Sequence, residues 1–361
     1  MHYLMTNFLD SVAALKSRLD RRFCVQLVSI LIAGLMALLP VILFVHLYID
    51  DYGRSSSGVF NWDRVGRPLA DVVFYVVNYG RPGVAVSPLY TILSIFIYSL
   101  PGVLMVRAYG YRSLFWSALV ILPLFAQPYG LENLSYGFDS VFMSLSVALA
   151  IIAAIVVQLS ASRFGLVGGF LLLEASLCMY QPGSSGFIPV AGFMVIASQL
   201  RLLVGNLAGM TLRMRLLRSS VTYGASLLGY QVLVSMTYER WSGYGRGASK
   251  MINISSIFST EFIARLIEPW AQVASDFWLP SLLTVITFLF VFYVIFVFLR
   301  VGFRKGLCLL VFALIVGLIS PGPLLLLKDS MFHVPRMMLF IGPLVASFCV
   351  QLFALVSFES R

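Results

Sequence analysis

The chain of 361 residues carries 60% hydrophobic and only 11% charged side chains, with a mean hydropathy of +0.94. Soluble domains hold about a quarter charged residues, so a soluble fold is excluded and no soluble catalytic domain fits between the apolar segments. The net charge of +10 is spread in short basic runs between those segments, which marks membrane topology and not nucleic-acid binding.

At the N-terminus Asp10, Lys16, Arg18, Asp20, Arg21 and Arg22 precede an apolar run too long for the core of a cleavable signal. Phe8, Leu9, Val12, Leu15 and Leu19 recur among them at helical spacing, which predicts a cytoplasmic interfacial helix over 1–22. From 23 to 361 the chain reads as a single transmembrane domain. Apolar runs bounded by charge or by Gly and Pro predict about ten spans, near 23–48, 88–106, 113–127, 138–159, 164–180, 186–205, 219–237, 278–299, 306–327 and 335–357. Basic clusters at Arg21 and Arg22, at Arg213, Arg215 and Arg218, and at Arg300, Arg304 and Lys305 put the N-terminus inside and two large loops, 49–87 and 238–277, outside. Of the 15 acids, Asp10, Asp20 and Glu359 then lie inside and Glu174 lies within a span, which leaves 11 outside. Acids contribute little to orientation, so this excess calls for a polar substrate on the outer face.

Asp50-Asp51-Tyr52-Gly53-Arg54 stands where the first span leaves the membrane. Of two adjacent carboxylates one can act as base while the other orients substrate or pairs with Arg54, and their repulsion favours proton abstraction from a hydroxyl. A solvated helix end with a local ion pair fits the same residues. The first outer loop continues as Asn61-Trp62-Asp63-Arg64-Val65-Gly66-Arg67-Pro68-Leu69-Ala70-Asp71, followed by Phe74, Tyr75 and Tyr79. Arg64 and Arg67 suit bidentate phosphate contacts, whereas Trp62 and the tyrosines fit an interfacial belt.

After the third span comes Glu132-Asn133-Leu134-Ser135-Tyr136-Gly137-Phe138-Asp139. If the segment is helical, Glu132 and Asp139 share a face two turns apart, and Asp139 also suits an N-cap for the next span. Tyr180-Gln181-Pro182-Gly183 ends the fifth span as a polar terminus, with the intramembrane acid Glu174 about two turns earlier. Lys328-Asp329-Ser330-Met331-Phe332-His333-Val334-Pro335-Arg336 precedes the last span, where Lys328 and Arg336 suit a lipid phosphate or snorkel to the interface. His2, His46 and His333 are too scattered for a metal site. Cys24, Cys178, Cys308 and Cys349 sit unpaired in apolar runs and read as buried apolar residues. There is no GxxxxGK[ST], GxGxxG or HExxH pattern to support nucleotide or zinc chemistry.

In order and spacing, Asp50-Asp51-Tyr52-x-Arg54, Gly66-Arg67-Pro68-Leu69, Glu132-Asn133-Leu134-Ser135-Tyr136-x-Phe138-Asp139-Ser140 and Tyr180-Gln181-Pro182 resemble the bacterial and phage-borne O-antigen glucosyltransferases of serotype conversion. The resemblance runs over about residues 23–350 and is strongest in the first half; the second outer loop and C-terminal region match mainly in hydropathy and in Pro335-Arg336. It implies an all-α polytopic GT-C-type enzyme of the bacterial inner membrane with a periplasmic active site. Such an enzyme moves glucose, with inversion, from undecaprenyl-phosphate-glucose to a lipid-linked O-antigen acceptor. Asp50 or Asp51 is then the base. Arg54, Arg67, Arg336, Lys328, Asp71, Glu132, Asp139, Tyr180 and Gln181 handle donor phosphate and substrate. The implied surroundings are membrane lipids, a companion flippase and a donor-synthesising enzyme, with no nucleic acid, metal or cofactor apart from the lipid-linked donor. Gly137 departs from the pattern, where a larger polar or basic residue is expected. A transferase for another envelope glycan and a lipid-sugar flippase are the alternatives.

Overall fold

The computed structural model describes residues 21–44, 50–58, 61–78, 88–111, 113–203, 210–236, 259–276, 280–327, 332 and 334–358. The predicted interfacial helix, apart from Arg21 and Arg22, and Lys328 lie outside these residues. Among them the chain is helical throughout, with no β-sheet. The described residues form fifteen α-helices in chain order: α1 Arg21–Ala37, α2 Leu39–Phe44, α3 Asp50–Ser57, α4 Pro68–Val77, α5 Leu89–Ala108, α6 Leu114–Ile121, α7 Pro128–Ser135, α8 Ser140–Leu159, α9 Arg163–Met179, α10 Phe187–Gln199, α11 Leu212–Ser235, α12 Thr260–Asp276, α13 Pro280–Val301, α14 Phe303–Ile319 and α15 Ile341–Phe358.

Each of the ten apolar runs contains a helix. Two of these, α5 and α8, are long and apolar enough to cross a membrane, at 20 residues each. A third candidate is the pair Leu114–Leu124 and Pro128–Ser135, bent by 75°. Pro123 and Pro128 account for that break, since each removes a backbone donor and Pro disfavours helix in the residue before it. α3, α4 and α12 fall inside the two predicted outer loops, which are therefore structured in these stretches.

α8 is the central helix. Its sequence is apolar on every side, the pattern of a helix with no solvent face, and it packs against α5, α9, α10 and α11. Small residues set the spacing: Ala150, Ala153 and Ala154 are wholly buried, and at Gly169 of α9 a Cβ would collide with Val157. Close backbone approach through such residues is the usual basis of helix packing in membranes. Ser146 then donates to the carbonyls of Ser176 (2.9 Å) and Tyr180 (2.7 Å), and Ser176 returns a bond to the Ser146 carbonyl at 2.8 Å. At the far end of α8, Arg215 and Arg218 from α11 donate to the carbonyls of Gln158 (2.6 Å), Ser160 (2.7 Å) and Ser162 (3.0 Å). The Gln158 and Ser160 carbonyls belong to the end of α8, which leaves them without intrahelical partners, whereas Ser162 is the N-cap of α9.

Two smaller apolar clusters cover the pole where α8 begins. One joins Trp62, Phe74, Phe138, Phe142 and Met179 and seats α4. The other joins Tyr129, Leu324, Leu325, Phe332, Met338 and Phe340 and seats α12 through Phe262, Leu266 and Trp270. All four cysteines are free; Cys24 and Cys308 lie on exposed helix faces, contrary to the buried reading, because an all-apolar run gives no signal of which face turns inward.

Candidate active site

Asp51 lies on α3, within the first predicted outer loop, and its side chain is fully buried. Its carboxylate accepts the backbone N–H of Gly137 at 2.7 Å and of Phe138 at 3.2 Å. This contact fixes α3 to the start of α8. It also explains why Glu132 and Asp139 do not share a helix face: α7 stops at Ser135, Tyr136 is extended, and the next two amides turn to Asp51. A Cβ at Gly137 would stand 3.4 Å from Asp51 Oδ2, an ordinary contact distance, so the approach does not itself require glycine. Asp50 begins the same helix.

Asp139 occupies the N-cap position of α8 but makes no capping hydrogen bond. Its carboxylate turns to Arg54, with Arg54 Nη2 3.5 Å from Asp139 Oδ2 and the two side chains 22% and 5% exposed. The Arg54 guanidinium lies over the Trp62 ring, 4.2 Å from its centroid. Trp62 is 2% exposed and packs edge-on against Phe74 and Phe142, so it is a core residue and not a member of an interfacial belt.

Arg67 directly precedes α4, and its guanidinium lies 4.4 Å over the Tyr180 ring. Gln181, next along, donates to the carbonyls of Val65 (3.3 Å) and Gly66 (2.9 Å) and to the Tyr230 hydroxyl (2.5 Å). Tyr230, from α11, donates in turn to the Gly66 carbonyl at 2.8 Å. Gly66 has φ of 77°, a left-handed conformation that favours glycine. The turn before Arg67 is thus held from both α9 and α11.

The Tyr180 hydroxyl donates to the Arg336 carbonyl at 3.2 Å, and Asn133 reaches the same carbonyl at 3.4 Å. The Arg336 guanidinium donates to the Tyr136 hydroxyl and lies 5.5 Å from that ring's centroid. Arg67, Arg336, Asp139 and Glu132 all act electrostatically on Tyr180. Residues from three other sequence motifs therefore gather around Tyr180 at one pole.

Asp71 stands apart from this group. It accepts the backbone N–H groups of Asn61 (3.3 Å), Trp62 (3.1 Å) and Asp63 (2.5 Å) and so closes the turn that presents Trp62. Burial pushes its carboxyl above the usual carboxylate range, against the opposing pull of those three N–H groups. Among the described residues no group of three or more His, Cys, Asp or Glu is placed to hold a metal ion.

Sequence reasoning passed over Trp62, Tyr136, Asn133 and Tyr230 as site-forming residues. The first three lie inside motifs already singled out, so their neighbours were the available signal. Tyr230 sits in an apolar helix with nothing local to mark it.

The chain is 34% identical over 143 residues to an uncharacterized 55.3 kDa protein in the gtrB 5′ region of Salmonella phage P22, covering 39% of this chain and 29% of that protein. It thus spans under a third of the length of this relative. No solved structure matches it. A family described as Glucosyl transferase GtrII matches residues 39–346. That match takes in every motif described above, and the chain belongs to this glucosyltransferase family.

Proposed function

We propose that the protein transfers glucose from undecaprenyl-phosphate-glucose to a lipid-linked O-antigen repeat unit at the periplasmic face of the bacterial inner membrane, within a GT-C-type bundle of about ten spans. The observation that carries this reading is that the Arg67 guanidinium lies over the Tyr180 ring while the Tyr180 hydroxyl bonds the backbone carbonyl of Arg336, whose own guanidinium meets Tyr136 in the motif of Glu132 and Asp139. Guanidinium groups suit a phosphate leaving group, and the carboxylates suit hydroxyls.

In the proposed step the acceptor hydroxyl gives its proton to the Asp50 carboxylate, and its oxygen forms the new bond to the sugar's anomeric carbon. The bond from that carbon to the phosphate oxygen breaks on the opposite face, which inverts the configuration. The donor phosphodiester carries one negative charge and the departing lipid phosphate carries two. Arg67 and Arg336 offset the charge that develops. Asp51 supports Asp50 as base because its own oxygens already hold two backbone amides. Lys328 is assigned to the outer approach of the lipid phosphate.

The reading is tested by expressing the protein in a host with lipopolysaccharide and donor lipid and following labelled glucose into surface polysaccharide. New glucosyl branches, absent with Arg67→Ala, are expected. Unchanged polysaccharide composition and linkage with the unsubstituted protein sinks the proposal, and movement of lipid-linked sugar without a new glycosidic bond supports a flippase instead.

A further inference from the structure

Three buried polar atoms around the Arg54 and Asp139 ion pair have no hydrogen-bonding partner among the described residues: Arg54 Nε, Asp139 Oδ1 and Ser140 Oγ. Asp139 is 4% exposed and Ser140 is fully buried. Buried polar atoms are satisfied in roughly nine cases of ten or more. Three unsatisfied atoms on two consecutive residues and their ion-pair partner mark a place where a further polar group binds.

The chemistry of these atoms selects that group. They comprise a cationic N–H donor, a carboxylate acceptor and a hydroxyl that does both. A phosphate offers only acceptors and would be repelled by Asp139. Neighbouring hydroxyls on a sugar ring both donate and accept, which matches the set. Arg54 is also restrained as a phosphate ligand, because one guanidinium nitrogen faces Asp139. Arg67 shares the ring contact, on Tyr180, and the buried Nε without a hydrogen-bonding partner, but it differs in that no ion pair involves it among the described residues.

We infer that Asp139, held by Arg54 and flanked by Ser140, forms a hydroxyl-recognition subsite that reads the stereochemistry of the hexose ring, while Arg67 takes the phosphate of the same donor. This rests on the transfer reading above and divides labour within it. Trp62 and Asp71 serve the subsite indirectly as positioning residues: Asp71 closes the turn that carries Trp62, and the Trp62 ring lies against the Arg54 guanidinium.

The test uses the full chain in detergent and measures binding of undecaprenyl phosphate, its glucose derivative and its galactose derivative, which differs at one hydroxyl. The unsubstituted protein is expected to prefer the glucose lipid. Asp139→Asn should cut that preference about 10- to 100-fold, the worth of one hydrogen bond to a charged group, with binding of bare undecaprenyl phosphate unchanged. Ser140→Ala, which keeps the ion pair and suits a helix, should reduce the preference by a smaller factor in the same direction, and it decides the matter if Asp139→Asn fails to fold. The subsite is overturned if the unsubstituted protein binds both sugar lipids alike, or if Asp139→Asn, or Ser140→Ala where it decides, shifts all three lipids equally or leaves the preference intact. Selective binding of the glucose lipid without any transfer refutes the transfer reading and leaves the subsite standing.

Discussion

Asp51 and Asp50 are adjacent, yet replacing them is expected to produce opposite kinds of damage. Asp51 is wholly buried, and each of its oxygens accepts one backbone amide. In Asp51→Asn one oxygen remains to accept, but the new amide group points a donor at the other N–H. One charge-assisted bond is lost and a buried N–H is left unsatisfied, for a cost of about 2–4 kcal/mol. In a chain of this size that is a fall of roughly 3–5 °C in the unfolding midpoint. Thermal unfolding in detergent should show this shift for Asp51→Asn and almost none for Asp50→Asn. Transfer assays on the folded fraction should show the reverse, with Asp50→Asn inactive and Asp51→Asn retaining measurable turnover. If Asp51→Asn melts with the unsubstituted protein and loses transfer as completely as Asp50→Asn, Asp51 is the base and the anchoring argument is refuted.

Arg67→Lys keeps the charge but loses the planar stack on Tyr180; the donor KM should rise roughly tenfold with kcat little changed, as read in initial-rate kinetics. Tyr230→Phe removes the hydroxyl that holds the Gly66 carbonyl and meets Gln181. Its effect should likewise fall on donor KM, with an unfolding midpoint lower by only about 1 kcal/mol equivalent. Gly183→Ala drives a methyl group to 2.7 Å from Ser146 Cβ and 3.0 Å from the Val147 nitrogen. The contact between α8 and the Gln181–Gly186 turn should open, with a cost of about 1–3 kcal/mol measurable by thermal unfolding. Gly137→Ala meets Asp51 only at ordinary contact distance, 3.4 Å, so its midpoint should stay within about 1 kcal/mol of the parent.

The helices and the site motifs were legible in the sequence for different reasons. Apolar runs define helices in a membrane protein because every backbone polar group must be satisfied within the segment, so the segments near 138–159 and 164–180 correspond to α8 and α9. The motif residues were legible because Arg, Asp and Glu are costly beside a bilayer and stand out against apolar surroundings. Trp62 was misplaced because a tryptophan near an interface has two equally ordinary fates, belt and core. The choice depends on Phe74, Phe138 and Phe142, which approach it only after folding. The break at Tyr136 was hidden for a similar reason: it follows from Asp51, 86 positions away in the chain, capturing the Gly137 amide.

The division of roles was the least legible feature, because it depends on which charges already have partners. Sequence reading grouped Arg54, Arg67 and Arg336 as equivalent phosphate ligands. The structure separates them by company. Arg54 has Asp139 and Trp62, Arg336 has the Tyr136 hydroxyl, and Arg67 has the face of Tyr180. A guanidinium stacked on a ring keeps its in-plane donors available, while one that faces a carboxylate has committed part of its edge. The three arginines should therefore differ under substitution: Arg67→Ala should weaken undecaprenyl phosphate itself, whereas Arg54→Ala should weaken the glucose-bearing lipid more than the bare phosphate. Equal losses for both lipids in both variants would show that the arginines act as one undivided patch, and the partners seen around each would then carry no functional distinction.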